Sequence, residues 1–153
     1  MFQIRTILVD LHAGVWIGIF LARVTVGSAF LLSGAGKLFV NERREQMRQT
    51  IHDAGIPFPQ FNALFVSAVE FVFGLLLILG AATPLACVML SSVMTIAILT
   101  IEVRKIQASS PLGWLSEFLY LPEVLYLVIL VWLFFSGPGW LSVDQLFASK
   151  TRF

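Results

Sequence analysis

The segment that decides the fold is FVFGLLLILGAATPLACVMLSSVMTIAILTI, from Phe71 to Ile101, which contains 31 residues and no charge. A helix needs about 20 apolar residues to cross roughly 30 Å of hydrocarbon, so the segment is too long for one span. Its centre, Gly80-Ala81-Ala82-Thr83-Pro84, combines glycine and proline as is typical of a turn. The segment therefore predicts parts of two membrane-spanning helices joined by a hairpin.

Working outward from this hairpin, the chain has two further apolar segments of spanning length. Hydrophobic types make up 58% of the 153 residues and charged types 12%, against about a quarter charged in soluble domains. We therefore predict an all-α integral membrane protein, a four-helix transmembrane bundle with short loops that forms one domain in a lipid bilayer. The net charge of +1 gives no indication of a nucleic-acid partner. The predicted spans are about Ala13–Leu38, Phe61–Ala81, Leu85–Val103 and Phe118–Ser136.

The loops differ in charge and in length. The longest loop, between the first and second spans, predicts an amphipathic helix from Asn41 to about Ala54, ended by Gly55-Ile56-Pro57. Cytoplasmic loops carry an excess of Lys and Arg, which here predicts loops one and three in the cytoplasm and both termini outside. The six basic residues on the predicted cytoplasmic side are Lys37, Arg43, Arg44, Arg48, Arg104 and Lys105, and the three opposite are Arg5, Lys150 and Arg152.

Two charged residues cannot leave the membrane. Arg23 is separated by 12 residues from Asp10 and by 13 from Lys37, and neither gap crosses a bilayer alone. The same reasoning places Glu70 inside the second span. An isolated charge at the bilayer centre costs at least about 2.5–3.5 kcal/mol, which favours a partner. Counted from the predicted helix ends, the two charges reach similar depth, so we predict an Arg23–Glu70 ion pair.

A second polar layer is predicted near the membrane boundary on the side of loops one and three. Lys37 ends the first span, Glu102 ends the third, and Glu123 and Tyr126 share a face near the start of the fourth. Ser91 and Thr95 predict a polar stripe that continues from Glu102 into the bundle. Intramembrane ionisable groups are candidates for function, yet paired charges can also merely fix helix packing, and both interpretations stay open.

Other site types lack the residues that they need. The two histidines, His12 and His52, lie at or beyond the span ends, where haem between helices is not expected. No cluster has the ligand spacing of a metal site. Cys87 is the single cysteine, so no internal disulfide or CxxC motif exists, and a buried core position is expected for it.

Six short motifs follow one another along the chain in a characteristic order. It comprises Leu21-Ala22-Arg23-Val24, Gly34-Ala35-Gly36-Lys37-Leu38, Gly55-Ile56-Pro57, Ala68-Val69-Glu70, Leu79-Gly80-Ala81-Ala82-Thr83-Pro84 and Ser136-Gly137-Pro138-Gly139-Trp140-Leu141-Ser142-Val143-Asp144. In this order the motifs resemble the DoxX family of small four-span bacterial membrane proteins, over about residues 17–144.

The resemblance implies a four-helix bundle in the bacterial inner membrane. Some relatives are similar to the small subunit of thiosulfate:quinone oxidoreductase, and others are linked to complexes that handle oxidative or thiol stress. It therefore implies a subunit or accessory of a redox system, with a possible quinone ligand and an oxidoreductase partner. An independent enzyme is not expected, because the sequence lacks the histidines and paired cysteines that a self-sufficient redox enzyme would need. The family's polar positions match Arg23, Lys37, Glu70 and Glu123, without an agreed catalytic residue.

Two other functions stay open at this point. One is a scaffold without catalysis that docks a partner on the Arg- and Glu-rich first loop, around Arg43 and Arg44. The other is transport of a small solute or proton, which would require a homo-oligomer because four spans make a narrow pore.

Overall fold

The structure, a computed structural model, describes residues 14–108 and 110–150, and within them every regular element is helical. This confirms the predicted all-α class. Asp10, His12, Ala13 and the terminal Arg5 and Arg152 lie outside the described residues. The elements are α1 Val15–Phe39, α2 Asn41–Asp53, α3 Pro59–Leu79, α4 Thr83–Ala97, a π-helical segment Ile98–Glu102, α5 Val103–Lys105, α6 Pro111–Leu119, α7 Pro122–Ser136 and α8 Val143–Lys150.

Three helices in this part of the chain are long and apolar enough to cross a membrane. They are α1, α3 and the continuous helix Thr83–Lys105 that includes α4, the π-helical segment and α5. The helices α6 and α7 pass the same test only together, with a bend of 61° between them, and this pair is the candidate for a fourth span. The predicted fourth span, Phe118–Ser136, begins inside α6 and is not one continuous helix: Pro122 begins α7, and Leu121 before it takes the extended conformation that a following proline favours.

Glycines set the register of α1 against α3. A Cβ atom on Gly34 would lie 2.5 Å from the backbone nitrogen of Phe71, and one on Gly74 would lie 2.6 Å from that of Leu31. Gly27 packs in the same way against Gly74 and Ile78. Such close approach of two backbones is how small residues drive helix association in membranes. The antiparallel pair that results has Lys37 at one end and Arg23 at the other.

The two ends of the bundle are distinct. At the hairpin end, the turn between α3 and α4 has left-handed backbone at Gly80 and Ala82, which confirms the predicted hairpin. At the α2 end, α2 confirms the predicted amphipathic helix, and Arg104 Nη1 donates to the Ala54 carbonyl at 3.4 Å. Loops one and three thus meet at the same end, as the alternation of spans requires.

The core lies between the α1–α3 pair and the α4–α7 pair. The fully buried side chains Leu77, Leu90, Leu130 and Leu133 come from α3, α4 and α7, and Cys87 is buried among them as expected. Large apolar side chains face outward along all the spans, as in a helix surface solvated by lipid.

The predicted polar stripe on the third span is wrong. Thr95 is exposed on the outer surface, and its hydroxyl donates to the carbonyl of Ser91, one turn earlier, at 2.8 Å. Such a bond within the helix satisfies the hydroxyl without any neighbouring helix, so the group can face lipid.

Candidate functional site

The strongest polar feature of the α2 end is a buried ion pair between α1 and α3. Lys37 Nζ lies 2.8 Å from Oε1 and 2.7 Å from Oε2 of Glu70, and Ser33 Oγ donates to Oε2 at 3.0 Å. The Glu70 side chain is only 4% exposed, whereas that of Lys37 is 23% exposed. The Glu70 carboxyl group therefore lies at depth, with both of its partners on successive turns of α1.

Glu123 brings a second carboxyl group to this place from α7. Glu123 stands in the first turn of α7, and it lines the same two cavities as Lys37 and Glu70. Its Oε2 atom is buried and has no hydrogen-bond partner among the described residues. We name Lys37, Glu70 and Glu123 the polar cluster.

The larger of the two cavities has a volume of about 350 Å³ and apolar walls. Phe65, Val66 and Val69 of α3 form one wall, and the opposite wall comes from α4 and the π-helical segment. Phe65 and Ile96 at its rim are half or more exposed on the outer surface of the bundle. The cavity thus joins the lipid-facing surface to the polar cluster.

The α2 helix and Glu102 complete the larger cavity. Met47, Thr50 and Ile51 of α2 line its α2 end, and Ile51 is almost fully buried there. Glu102 also lines the cavity, but its carboxylate is paired with Lys105 at 2.7 Å. Glu102 closes the π-helical segment, a helix type that is rare and often found at functional sites.

The smaller cavity has a volume of about 240 Å³ and lies on the α1–α7 side of the polar cluster. Ser33, Phe30 and Ala29 of α1 line it together with Tyr126, whose ring packs against Phe30 at a centroid distance of 5.6 Å. Tyr126 is therefore placed beside the polar cluster, as predicted, but not in the larger cavity. The polar cluster separates one apolar cavity from one of more polar lining.

The predicted Arg23–Glu70 ion pair is wrong. Arg23 packs against Gly80 at the hairpin end, where its guanidinium donates to the carbonyls of Pro138 and Leu141. Gly80 is ten residues from Glu70 on the same helix, or about 15 Å at the helical rise of 1.5 Å per residue. The prediction assumed that the two helices end at the same level, whereas the glycine contacts of α1 and α3 shift Arg23 to the end of α3.

Arg23 belongs to a junction that fixes the chain after α7. Asp144 at the start of α8 accepts hydrogen bonds from the backbone nitrogens of Ala82, at 2.8 Å, and Thr83, at 2.9 Å, and so caps α4. The Asp144 nitrogen in turn donates to the Gly80 carbonyl at 3.0 Å. We name Arg23, Gly80 and Asp144 the hairpin junction, and this role is structural. These residues belong to motifs that are visible in the sequence, but no pattern in the sequence predicted that they contact one another.

The basic residues of the first loop are also engaged in packing. The Arg44 side chain donates to the Leu38 carbonyl at the end of α1, and Arg43 lies against Gly36. On the exposed side of α2, the hydrogen bond from Arg48 to Glu45 holds the pKa of Glu45 below its ordinary value and raises the pKa of Arg48. Arg43 and Arg44 thus help to attach α2 to the bundle, which weakens the interpretation of these two residues as a docking surface.

The arrangement fits an elongated, mostly apolar ligand with one polar end. The apolar walls would hold a hydrocarbon part, and the polar cluster offers one donor, Lys37, and one carboxyl group without a partner, Glu123. Pockets of a few hundred Å³ with apolar walls and few convergent polar groups are typical of small-molecule sites. Among the described residues, no group of three or more His, Cys, Asp or Glu side chains could hold a metal ion.

Comparisons with known proteins agree with the motifs. The family model DoxX matches residues 18–103. The chain is similar to an uncharacterized membrane protein of Mycobacterium tuberculosis, Rv3486, with 31% identity over 132 residues, which cover 84% of this chain and 80% of that protein. No solved structure matches the chain.

Proposed function

From the premise that this chain belongs to the DoxX family of membrane proteins, we propose that it is a subunit of a bacterial redox system that binds a lipid-soluble quinone. One observation carries the proposal: the larger cavity leads from the lipid-facing rim at Phe65 and Ile96 to the polar cluster. A ligand dissolved in the bilayer could enter there with its isoprenoid tail left among apolar side chains.

The head group of the quinone would meet the polar cluster. The Lys37 ammonium, which is partly exposed, would donate to one carbonyl oxygen of the ring. Glu123 would exchange protons with the ring hydroxyls, since a carboxyl group in a site of low dielectric is suited to proton transfer. Reduction of one quinone consumes two electrons and two protons. The electrons would come from a partner oxidoreductase, because the described residues offer no redox group apart from the buried Cys87.

The subunit would therefore act only with a partner and not as an independent enzyme. Its expected place is the bacterial inner membrane, with the α2 end in the cytoplasm, because the Lys and Arg residues of loops one and three gather at that end. The partner would reach the quinone from the α2 end, where Met47 and Ile51 cover the larger cavity.

Transport by an oligomer is supported less well. The hairpin end of the bundle is filled by the buried Arg23 and by the chain from Pro138 to Leu141 that it binds. Both cavities of the polar cluster lie at the other end.

The test is equilibrium binding of a tritium-labelled short-tail quinone to the purified full-length protein in lipid nanodiscs. Val66→Trp fills the larger cavity without changing its charges, and it should weaken binding at least tenfold. Val72→Trp, on the same helix but exposed on the outer surface, should stay within twofold of the natural protein. The proposal fails if the natural protein shows no saturable binding, or if Val66→Trp binds as well as Val72→Trp.

A further inference from the structure

The charges that face the two cavities are unequal in number. One ammonium group, Lys37, stands against three carboxyl groups, Glu70, Glu102 and Glu123. Lys37 is already used by both oxygens of Glu70, and Glu102 is paired with Lys105. The carboxyl group of Glu123 is left with a buried oxygen that no described donor reaches.

A buried polar atom without a partner is costly, so the site is short of hydrogen-bond donors rather than acceptors. An anionic ligand, such as an oxyanion or a lipid phosphate, would bring further acceptors to a site that lacks donors. An oxidised quinone brings two carbonyl oxygens, which only accept. A hydroquinone brings two hydroxyl groups, and one of these can donate to Glu123 while the other oxygen accepts from Lys37.

We infer that the larger cavity selects the reduced, hydroquinone form of its ligand, and that Glu123 makes this selection by accepting a hydrogen bond from a ring hydroxyl. The inference rests on the proposed quinone function and specifies the form of the ligand. The smaller cavity, which Ser33 and Tyr126 line together with Glu123, gives a more polar path by which the protons for quinone reduction could reach this carboxyl group. A site that bonds a hydroxyl group discriminates against an analogue that lacks it, because the carboxyl group is then left unpaired.

The test compares two forms of one labelled compound. A short-tail benzoquinone and its dithionite-reduced hydroquinone are titrated without oxygen against the full-length protein in nanodiscs. A hydrogen bond that satisfies the buried oxygen of Glu123 predicts that the hydroquinone binds about tenfold more tightly than the quinone. Glu123→Leu should abolish this preference by weakening the binding of the hydroquinone about tenfold. The control is Glu117→Gln. Glu117 lies on the exposed face of α6, away from both cavities, so this variant should keep the preference for the hydroquinone.

The outcomes distinguish the selection of the hydroquinone from the proposed quinone binding on which it rests. Equal affinity for both forms, or a preference that survives in Glu123→Leu, overturns the inference while quinone binding stands. Binding of neither form removes the proposed function itself. A long-tail quaternary ammonium compound is titrated in parallel, and if it binds more tightly than the hydroquinone in a manner that needs Glu123, the site is a cation site and the inference is wrong. Thermal unfolding of each variant confirms that it is folded.

Discussion

Removal of the Lys37 ammonium should destabilise the protein far more than removal of the Glu70 charge. In Lys37→Met, the Glu70 carboxylate keeps only the hydrogen bond from Ser33 and stays 4% exposed in the natural geometry. Breaking a buried ion pair by removing one partner costs about 3–5 kcal/mol, because the remaining charge is buried without compensation. In Glu70→Gln, the remaining charge is on Lys37, whose long side chain is 23% exposed and can turn toward the membrane boundary. The expected loss there is about 1 kcal/mol, that of one hydrogen bond.

The assay is reversible unfolding of the full-length protein in mixed micelles, with a rising fraction of sodium dodecyl sulfate and tryptophan fluorescence as the signal. The double variant Lys37→Met/Glu70→Gln carries no unpaired charge, so it should regain at least about 2 kcal/mol relative to Lys37→Met alone. The matched control is Lys105→Met. It breaks a pair with Glu102 in which Lys105 is 63% exposed, and it should cost less than about 1 kcal/mol.

The reasoning would be refuted by either of two results. In the first, Lys37→Met destabilises the protein no more than Lys105→Met, which would mean that Glu70 is hydrated in the folded protein. In the second, the effects of Lys37→Met and Glu70→Gln add in the double variant, which would mean that the two residues are not coupled.

Three further predictions concern helix packing, the hairpin junction and α2. Gly34→Ala should lower the unfolding free energy by about 1–3 kcal/mol, because the added Cβ meets backbone atoms of α3 at 2.5 Å, whereas Gly18→Ala, with nothing within 4 Å, should not lower it. Asp144→Ala should cost about 1–2 kcal/mol in the same assay, since the nitrogens of Ala82 and Thr83 lose their acceptor; an unchanged value would exclude a stabilising cap. The hydrogen bond from Arg48 lowers the pKa of Glu45, so this bond stabilises α2 fully above the ordinary carboxyl pKa. The stabilisation is lost as the pH falls through the lowered pKa of Glu45. Hydrogen exchange in α2, corrected for intrinsic rates, should then lose protection at acidic pH, and a pH profile unchanged in Glu45→Gln would contradict this.

The sequence predicted the helices well because membrane spans depend on length and apolar composition alone. The Phe71–Ile101 segment could not be one span, and the structure has its turn at Gly80, as the glycine and proline there indicated. The break within the fourth span was not predicted. Apolar composition runs through Phe118 into α7, and only the local effect of Pro122 on the preceding backbone bends the helix pair.

The site was predicted in part. Lys37, Glu102, Glu123 and Tyr126 were expected near one end of the bundle because span ends are visible in the sequence, and the structure places them around two adjoining cavities. The partner of Glu70 was predicted wrongly, because register depends on which glycines touch. Ser33 was overlooked, although its spacing of four residues from Lys37 places both on one face of α1.

The corrected register also changes what the intramembrane charges mean. Two nitrogens of the Arg23 guanidinium donate to backbone carbonyls of the chain after α7, so its charge stabilises a junction, although its Nε atom is buried without a partner. The polar cluster has the opposite character: it borders two cavities, and the carboxyl group of Glu123 is incompletely bonded. The hairpin junction therefore explains how the bundle is held together, and the polar cluster is the place where a ligand of this protein should be sought.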